Sequence, residues 1–136
     1  MSKNCISSYP LDALTALLAG MGQPAFRGRQ LFRWLHQKRV REFSAMTDQP
    51  KALLAALGQQ YTIVSLGIRR RQQSRDGTVK YLFALGDGNC IETVVMRYRY
   101  GNTVCVSTQV GCRMGCRFCA SAQNGRVRDL TAGEIA

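Results

Sequence analysis

No apolar run in this sequence reaches the ~18 residues that a membrane-spanning helix needs. Its start, Met-Ser-Lys-Asn-Cys-Ile-Ser-Ser, lacks the apolar core of a secretory signal. There is no internal repeat and no low-complexity tract. These absences lead us to expect a soluble, cytoplasmic chain. Acidic side chains are also scarce: eight Asp and Glu stand against nineteen Lys and Arg, for a formal charge of +11. Arginine supplies most of that charge, 15 residues against 4 lysines. Its guanidinium suits bidentate phosphate contacts and stacking on bases, so nucleic acid is the expected partner. A soluble protein that is simply basic is the plainer alternative. Histidine occurs once, as His36. It lies beside the apolar face of a basic helix, where packing or solvent explains it better than metal ligation does.

Length and composition allow one ordinary domain or two very small ones, and the residue pattern divides the chain. Leu11, Leu14 and Leu18 recur at helical spacing over residues 10–20, with Ser8 as candidate N-cap, and Gly20, Gly22 and Pro24 break that helix. A second helix is expected from about Phe26 to Lys38, with Leu31, Trp34 and Leu35 on one face and Arg27, Arg29, Arg33, Lys38, Arg39 and Arg41 on its other faces and at its end. A third follows the cap-like Asp48-Gln49-Pro50, carries Leu53, Leu54 and Leu57, and is expected to end at Gly58. The pattern then turns to strands at 61–71, 79–85, 90–98 and 103–108. The turn signals between them are Asp76-Gly77, Gly86-Asp87-Gly88-Asn89 and Gly101-Asn102. The expected organisation is a helical RNA-binding module over 1–58, antiparallel strands over 59–102, and the start of a further domain over 103–136. Thr131 and Glu134 make a capping-box pattern at the start of a helix that is left about one turn long. One isolated turn does not hold itself together, so the fold is expected to be cut off there.

Six cysteines without a secretory signal point away from disulfides and toward metal binding or catalysis. Cys112, Cys116 and Cys119 lie within eight residues, spaced by three residues and then two. One compact loop can present three such thiolates to three corners of a [4Fe-4S] cubane. Gly111 and Gly115 permit the backbone angles that such wrapping needs. The fourth iron then has no protein ligand and can chelate the amino and carboxylate groups of S-adenosyl-L-methionine (AdoMet), whose reductive cleavage yields a 5′-deoxyadenosyl radical. A structural zinc site would normally want four ligands and a C-x2-C knuckle. It stays open as an alternative, as do three ordinary free thiols.

The string Cys105-Val-Ser-Thr-Gln-Val-Gly-Cys112-Arg-Met-Gly-Cys116-Arg-Phe-Cys119-Ala-Ser, followed by Leu130-Thr-Ala-Gly-Glu134-Ile, closely resembles the radical AdoMet RNA methyltransferases. Within that family it is most similar to the dual-specificity enzymes that methylate carbon 2 of adenine in 23S ribosomal RNA and transfer RNA. Relatives that methylate carbon 8 are also similar. Ala25–Leu35 resembles the family's N-terminal helical accessory module, and Asp76–Phe83 and Ile91–Val94 resemble the strands before its barrel. The resemblance implies an α+β N-terminal part of an α/β partial barrel, preceded by a small helical accessory domain.

It also implies roles for particular residues. Cys112, Cys116 and Cys119 would hold the cluster, and Phe118 would shield it or pack near the adenine of AdoMet. Cys105 would resolve a covalent protein–RNA intermediate by attacking a thioether sulfur. Glu92 would take part in proton removal from the methylated base; alternation puts it on a strand face with Cys90, Val94 and Met96. Arg27, Arg29 and Arg33 would contact RNA phosphates, Arg69–Arg71 being a weaker case. Cys5 and Cys90 match no motif position and are read as structural. An electron donor such as flavodoxin and a monomeric state are expected. The family's Gly-Gly-Glu-type strand, the rest of its barrel and its methyl-carrying second cysteine have no counterpart in these residues. The chain alone is therefore expected to be inactive, with a cluster loop more exposed and more oxygen-sensitive than in a whole enzyme. A basic RNA-binding fragment with a structural metal site is the rival reading.

Overall fold

In the computed structural model, residues 3–136 are described, and they divide into two compact units, 3–64 (with Ala136) and 65–135. Each is built around its own core.

The first unit is helical. A short strand β1 (Asn4–Cys5) and a 3-10 turn lead to α1 (Leu11–Gly20), then α2 (Ala25–Phe32), α3 (Lys51–Gln60) and strand β2 (Tyr61–Thr62), which pairs in parallel with β1. Ile6, Leu14, Leu18, Leu31, Trp34, Leu35, Met46, Leu53 and Leu57 are buried together. The leucines at helical spacing are therefore the ones that make the core, and their removal from water is the main force holding the unit. Gly28 lets α1 and α2 approach closely, since a Cβ there would lie 2.8 Å from the Cα of Thr15.

Several expected boundaries move. Pro10, not Ser8, is the N-cap of α1, because its carbonyl accepts the first helical bond from Leu14 N (3.0 Å). The second helix does extend past Phe32, but its last stretch, Arg33–Gln37, is π-helical. Lys38 N reaches back to Arg33 O (3.0 Å), and Arg39 follows in the left-handed region (φ 51°). Asp48 does not cap the third helix; its Oδ1 accepts Trp34 Nε1 at 2.6 Å, and Pro50 stands at the N-cap. Gly58 does not end that helix either. The helix runs to Gln60 and stops where Tyr61 turns extended (φ −123°, ψ 161°) to pair with Asn4, so strand pairing sets the boundary.

The second unit carries a four-stranded antiparallel sheet in the order β3 (Gly67–Gln73), β4 (Val79–Ala84), β5 (Cys90–Tyr98), β6 (Gly101–Cys105). The expected strand 61–71 is thus split between the two units. The Asp76-Gly77 and Gly86–Asn89 turns stand where expected, with Gly77 and Gly88 at φ 85° and 86°. The third turn falls at Arg99-Tyr100, because Tyr98 pairs with Gly101 and Arg97 with Asn102, which makes Gly101-Asn102 part of β6. Residues 103–108 are not one strand: β6 ends at Cys105, and β7 (Gln109–Gly111) pairs antiparallel with β8 (Arg126–Asp129). Among the described residues the only parallel pairing is β1–β2. Leu85, Ile91, Val110 and Leu130 form the core here, with Leu66 and Phe83 against them. The final turn, α4 (Ala132–Ile135), has the expected capping box. Thr131 N donates to Glu134 Oε2 (2.8 Å), and Glu134 N donates to Thr131 Oγ1 (3.3 Å). No described helix is long and apolar enough to cross a membrane.

Candidate active site

All three motif cysteines lie on the loop between β7 and β8, and the neck of that loop is closed by glycine. Gly111 sits at φ 71°, and a Cβ on it would fall 1.9 Å from the carbonyl oxygen of Gly125. That same carbonyl accepts the Cys112 amide at 3.1 Å. Only glycine lets the two arms come together there. Gly115, at φ 67°, has open space around it and is needed for its backbone angle alone. Cys119 N donates to Cys116 O (3.0 Å), so a tight turn links the second and third cysteines.

The thiols of Cys112 and Cys119 are half-buried and that of Cys116 is exposed; all are free of disulfides. Among the described residues, no three His, Cys, Asp or Glu side chains converge closely enough to hold a metal ion. The three thiols therefore share one loop without being drawn together at one point. Their chemistry nonetheless fits an iron–sulfur cluster: three soft donors, free of disulfides, on a glycine-necked loop. Arg113 and Arg117 alternate with them and supply positive charge next to a set of donors that is anionic when it binds metal. Phe118 is 94% exposed and Met114 77%, so neither apolar side chain is packed against the loop.

Glu92 and Cys105 come together on the neighbouring sheet. Cys105 pairs directly with Val94, two residues from Glu92 on β5. Directly paired residues share a face, as do alternate residues along a strand. Glu92 and Cys105 are therefore diagonal neighbours on one side of the sheet, roughly 7–8 Å apart. Glu92 lies on an inner strand but just beyond the last pair with β6, so it is paired only with Leu82 of β4; it is exposed, and its Oε1 meets Lys80 Nζ at 3.1 Å. That pair is exposed, so it orients the carboxylate and adds little stability. Ser107 Oγ donates to Glu92 O (2.7 Å) and ties the segment after Cys105 back to β5. Cys105 itself is exposed.

The arginines of α2 and its continuation divide by environment. Arg27 is engaged within its own unit: Nη1 donates to Gln30 Oε1 (3.0 Å) and Asp48 O (2.6 Å), and the guanidinium lies over Phe26. Arg29 and Arg33 are exposed. His36 packs against the Phe32 ring, with centroids 4.4 Å apart. Cys90 accepts a contact from Arg69 Nη1 at 3.5 Å.

Sequence reasoning missed Arg128, the hub that anchors the region after the cysteine loop. It forks onto both oxygens of Glu134 (2.9 Å each), and its Nε donates to Asp87 Oδ2 (2.6 Å) in the β4–β5 turn. One residue thus links the loop's exit strand, α4 and the sheet. Nothing in the local pattern marks it, because its partners lie 6 and 41 residues away. Hydrogen bonds from Arg128, and then from the Thr131 amide, hold the Glu134 carboxyl below its usual range, and Arg128 does the same for Asp87. A depressed carboxyl pKa stabilises the fold at neutral pH. That contribution is lost as pH falls through the folded-state value, below the ordinary glutamate range. Glu134→Gln is therefore expected to lower stability at pH 7 by on the order of 1 kcal/mol and to flatten the loss of melting temperature between pH 5 and 3. The slope is expected to shrink without vanishing, since Asp87 and Asp129 are depressed in the same way. An unchanged acid-side slope in a melting series would refute this.

Residues 6–63 match the family described as Ribosomal RNA large subunit methyltransferase N-terminal domain. A protein of Halalkalibacterium halodurans named "Probable dual-specificity RNA methyltransferase RlmN" is 51% identical over 96% of this chain and 36% of its own length. A protein of the same name from Staphylococcus aureus is 50% identical over 98% of this chain and 36% of its own. The crystal structure of a radical SAM methyltransferase from Sphaerobacter thermophilus superposes with a TM-score of 0.85 at 43% identity, over 97% of this chain and 39% of that one. The chain spans little more than a third of the length of these relatives. The matched domain, the half-identical sequence and the shared fold together show that the chain is similar, over nearly all of its own length, to little more than a third of the length of the RlmN-type radical SAM RNA methyltransferases, and that residues 6–63 match that family's N-terminal domain.

Proposed function

We propose that this chain carries the cluster-binding and product-resolving residues of an enzyme that methylates carbon 2 of adenine in 23S ribosomal RNA and transfer RNA. The observation that carries the reading is the loop necked at Gly111 and Gly125 with Cys112, Cys116 and Cys119 on it, in the same unit as a sheet face that holds both Glu92 and Cys105. A [4Fe-4S] cluster held there, with AdoMet on its open iron, would supply a 5′-deoxyadenosyl radical. Arg113 and Arg117 would balance the charge of the thiolates. Glu92, kept at hand by Lys80, would take the proton from the methylated base. Cys105, exposed on the same face, would attack the thioether sulfur that joins protein to RNA: a disulfide forms as the sulfur–carbon bond breaks, and the released carbon keeps the electron pair and takes a proton to become the methyl group of the product. Phe118 is free to fold over the cluster or the adenine of AdoMet.

The helical unit, with Arg29 and Arg33 exposed, serves as an RNA-binding accessory module, and residues 103–136 open a partial barrel. RNA is the substrate, the protein acts in the cytoplasm as a monomer, and a flavodoxin-like donor supplies the electron. With about a third of the relatives' length, the chain by itself is expected not to methylate RNA.

Anaerobic reconstitution with iron and sulfide tests the reading. About four irons and four sulfides per chain are expected, with an EPR signal after reduction that changes when AdoMet is added. Stoichiometric zinc without labile sulfide would overturn it in favour of a basic RNA-binding module with a structural metal site.

A further inference from the structure

The β5–β6 hairpin ends in Arg97-Tyr98-Arg99-Tyr100, a sequence that no role described above uses. The turn is two residues long, because Tyr98 pairs with Gly101. Neither Arg99 nor Tyr100 has a positive φ, and Gly101, at φ 136°, takes the backbone angle that returns the strand. Tyr98 and Tyr100 stack on each other with ring centroids 5.0 Å apart and planes 12° from parallel. Both are exposed, Tyr98 by 48% and Tyr100 by 81%, and the Tyr98 hydroxyl donates to Met96 Sδ (3.4 Å). Arg97 and Arg99 are exposed too, and among the described residues neither has a carboxylate partner.

Two large rings held together in water at a hairpin tip are unusual for a surface whose only task is solubility. Stacking hides one face of each ring and leaves the outer face of Tyr100 open. A flat open ring on a turn that also carries two exposed guanidinium groups matches what single-stranded nucleic acid presents: bases with open π-faces along a chain of phosphates. The +11 charge of the chain adds long-range attraction for a polyanion.

We propose that the Arg97–Tyr100 turn is a contact for unpaired RNA, in which a base stacks on Tyr100 and Arg97 and Arg99 take the neighbouring phosphates. This rests on the reading of RNA as substrate and names a surface that engages it. The turn is five residues before Cys105 on the same strand, roughly 17 Å at the rise of an extended chain. A strand of RNA held at the turn can therefore be continuous with a nucleotide near Cys105. Pairing would hide the π-faces, so the contact discriminates unpaired from duplex RNA.

The test is binding of the 136-residue chain to a fluorescein-labelled single-stranded oligoribonucleotide, to a blunt RNA duplex and to polyglutamate, each over a range of salt. Tyr100→Ala is expected to weaken single-strand binding about 5- to 100-fold and to leave duplex and polyglutamate binding unchanged. Tyr100→Phe is expected to bind like the parent, since stacking needs the ring and not the hydroxyl. Arg99→Gln is expected to reduce the salt slope by about 0.7. Circular dichroism checks that each variant is folded.

Single-strand affinity unchanged in Tyr100→Ala would overturn the proposal and leave the methyltransferase reading intact. An equal loss on duplex would overturn it as a contact for unpaired bases, and an equal loss on polyglutamate would make the turn a site for acidic proteins instead. Failure to assemble a cluster would count against the methyltransferase reading, and it leaves these binding measurements on the metal-free chain unaffected.

Discussion

Alanine at Cys112, Cys116 or Cys119, one at a time, is expected to cut iron incorporation from about four per chain to background, while alanine at Cys5, Cys90 or Cys105 leaves it near the parent level. The contrast is large because a cubane with one corner already open to AdoMet has no spare protein ligand. The same substitutions are expected to leave the metal-free fold almost untouched. Cys116 is exposed, Cys112 and Cys119 are only half-buried, and none is in a disulfide. Changes at such positions typically shift stability by no more than about 0.5 kcal/mol. Iron and sulfide counts on reconstituted variants, beside thermal melts of the metal-free ones, separate the two effects. Iron retained in all three variants would show that the cluster, if any, lies elsewhere. Iron lost in the Cys105 variant as well would move that residue from chemistry to ligation.

Gly111→Ala is expected to open the neck of the cysteine loop, whereas Gly115→Ala is expected to be mild. The two glycines have nearly the same backbone angle, φ 71° and 67°, so the strain of placing a side chain in the left-handed region, about 1 kcal/mol, is common to both. Their surroundings differ. A methyl at 111 would sit 1.9 Å from the Gly125 carbonyl, which is backbone and cannot swing aside, while nothing lies within 4 Å of one at 115. Relief requires the arms of the loop to separate and the bond from Cys112 N to Gly125 O to break. The further cost is on the order of 2–3 kcal/mol, from a lost hydrogen bond at the half-buried neck and a displaced strand end. Hydrogen exchange at the Cys112 amide is expected to speed up strongly in Gly111→Ala and hardly at all in Gly115→Ala. Cluster retention is expected to follow the same order. Equal behaviour of the two variants would mean that backbone angle alone, and not closure of the neck, is what the loop needs.

Much of this was legible in the residues themselves, for identifiable reasons. Helical spacing of Leu14, Leu18, Leu31, Leu53 and Leu57 marked the core, because burial of apolar side chains follows period and needs no knowledge of partners. Asp76-Gly77 and the Gly88 turn were readable because positive φ demands glycine. The Thr131–Glu134 box was readable because both of its bonds are local. Boundaries set by distant pairing were not readable. Tyr61 leaves its helix to pair with Asn4, and Arg97–Tyr98 hold the register that moves the third turn to Arg99-Tyr100. Asp48 looked like a cap because capping residues are alike, and Trp34, 14 residues earlier, took its carboxylate instead.

The cysteine spacing, the arginine excess and the sequence strings around them pointed by themselves to a chemistry to test and to the family that this chain resembles, because ligand type, charge and motif are properties of the residues. Tertiary structure alone decided that Glu92 and Cys105 share a face, that Arg128 ties the loop's exit to α4 and the sheet, and that Tyr98 and Tyr100 stand stacked in solvent. Those facts depend on strand register and on partners far apart in the chain, and register is settled only when one strand pairs with another.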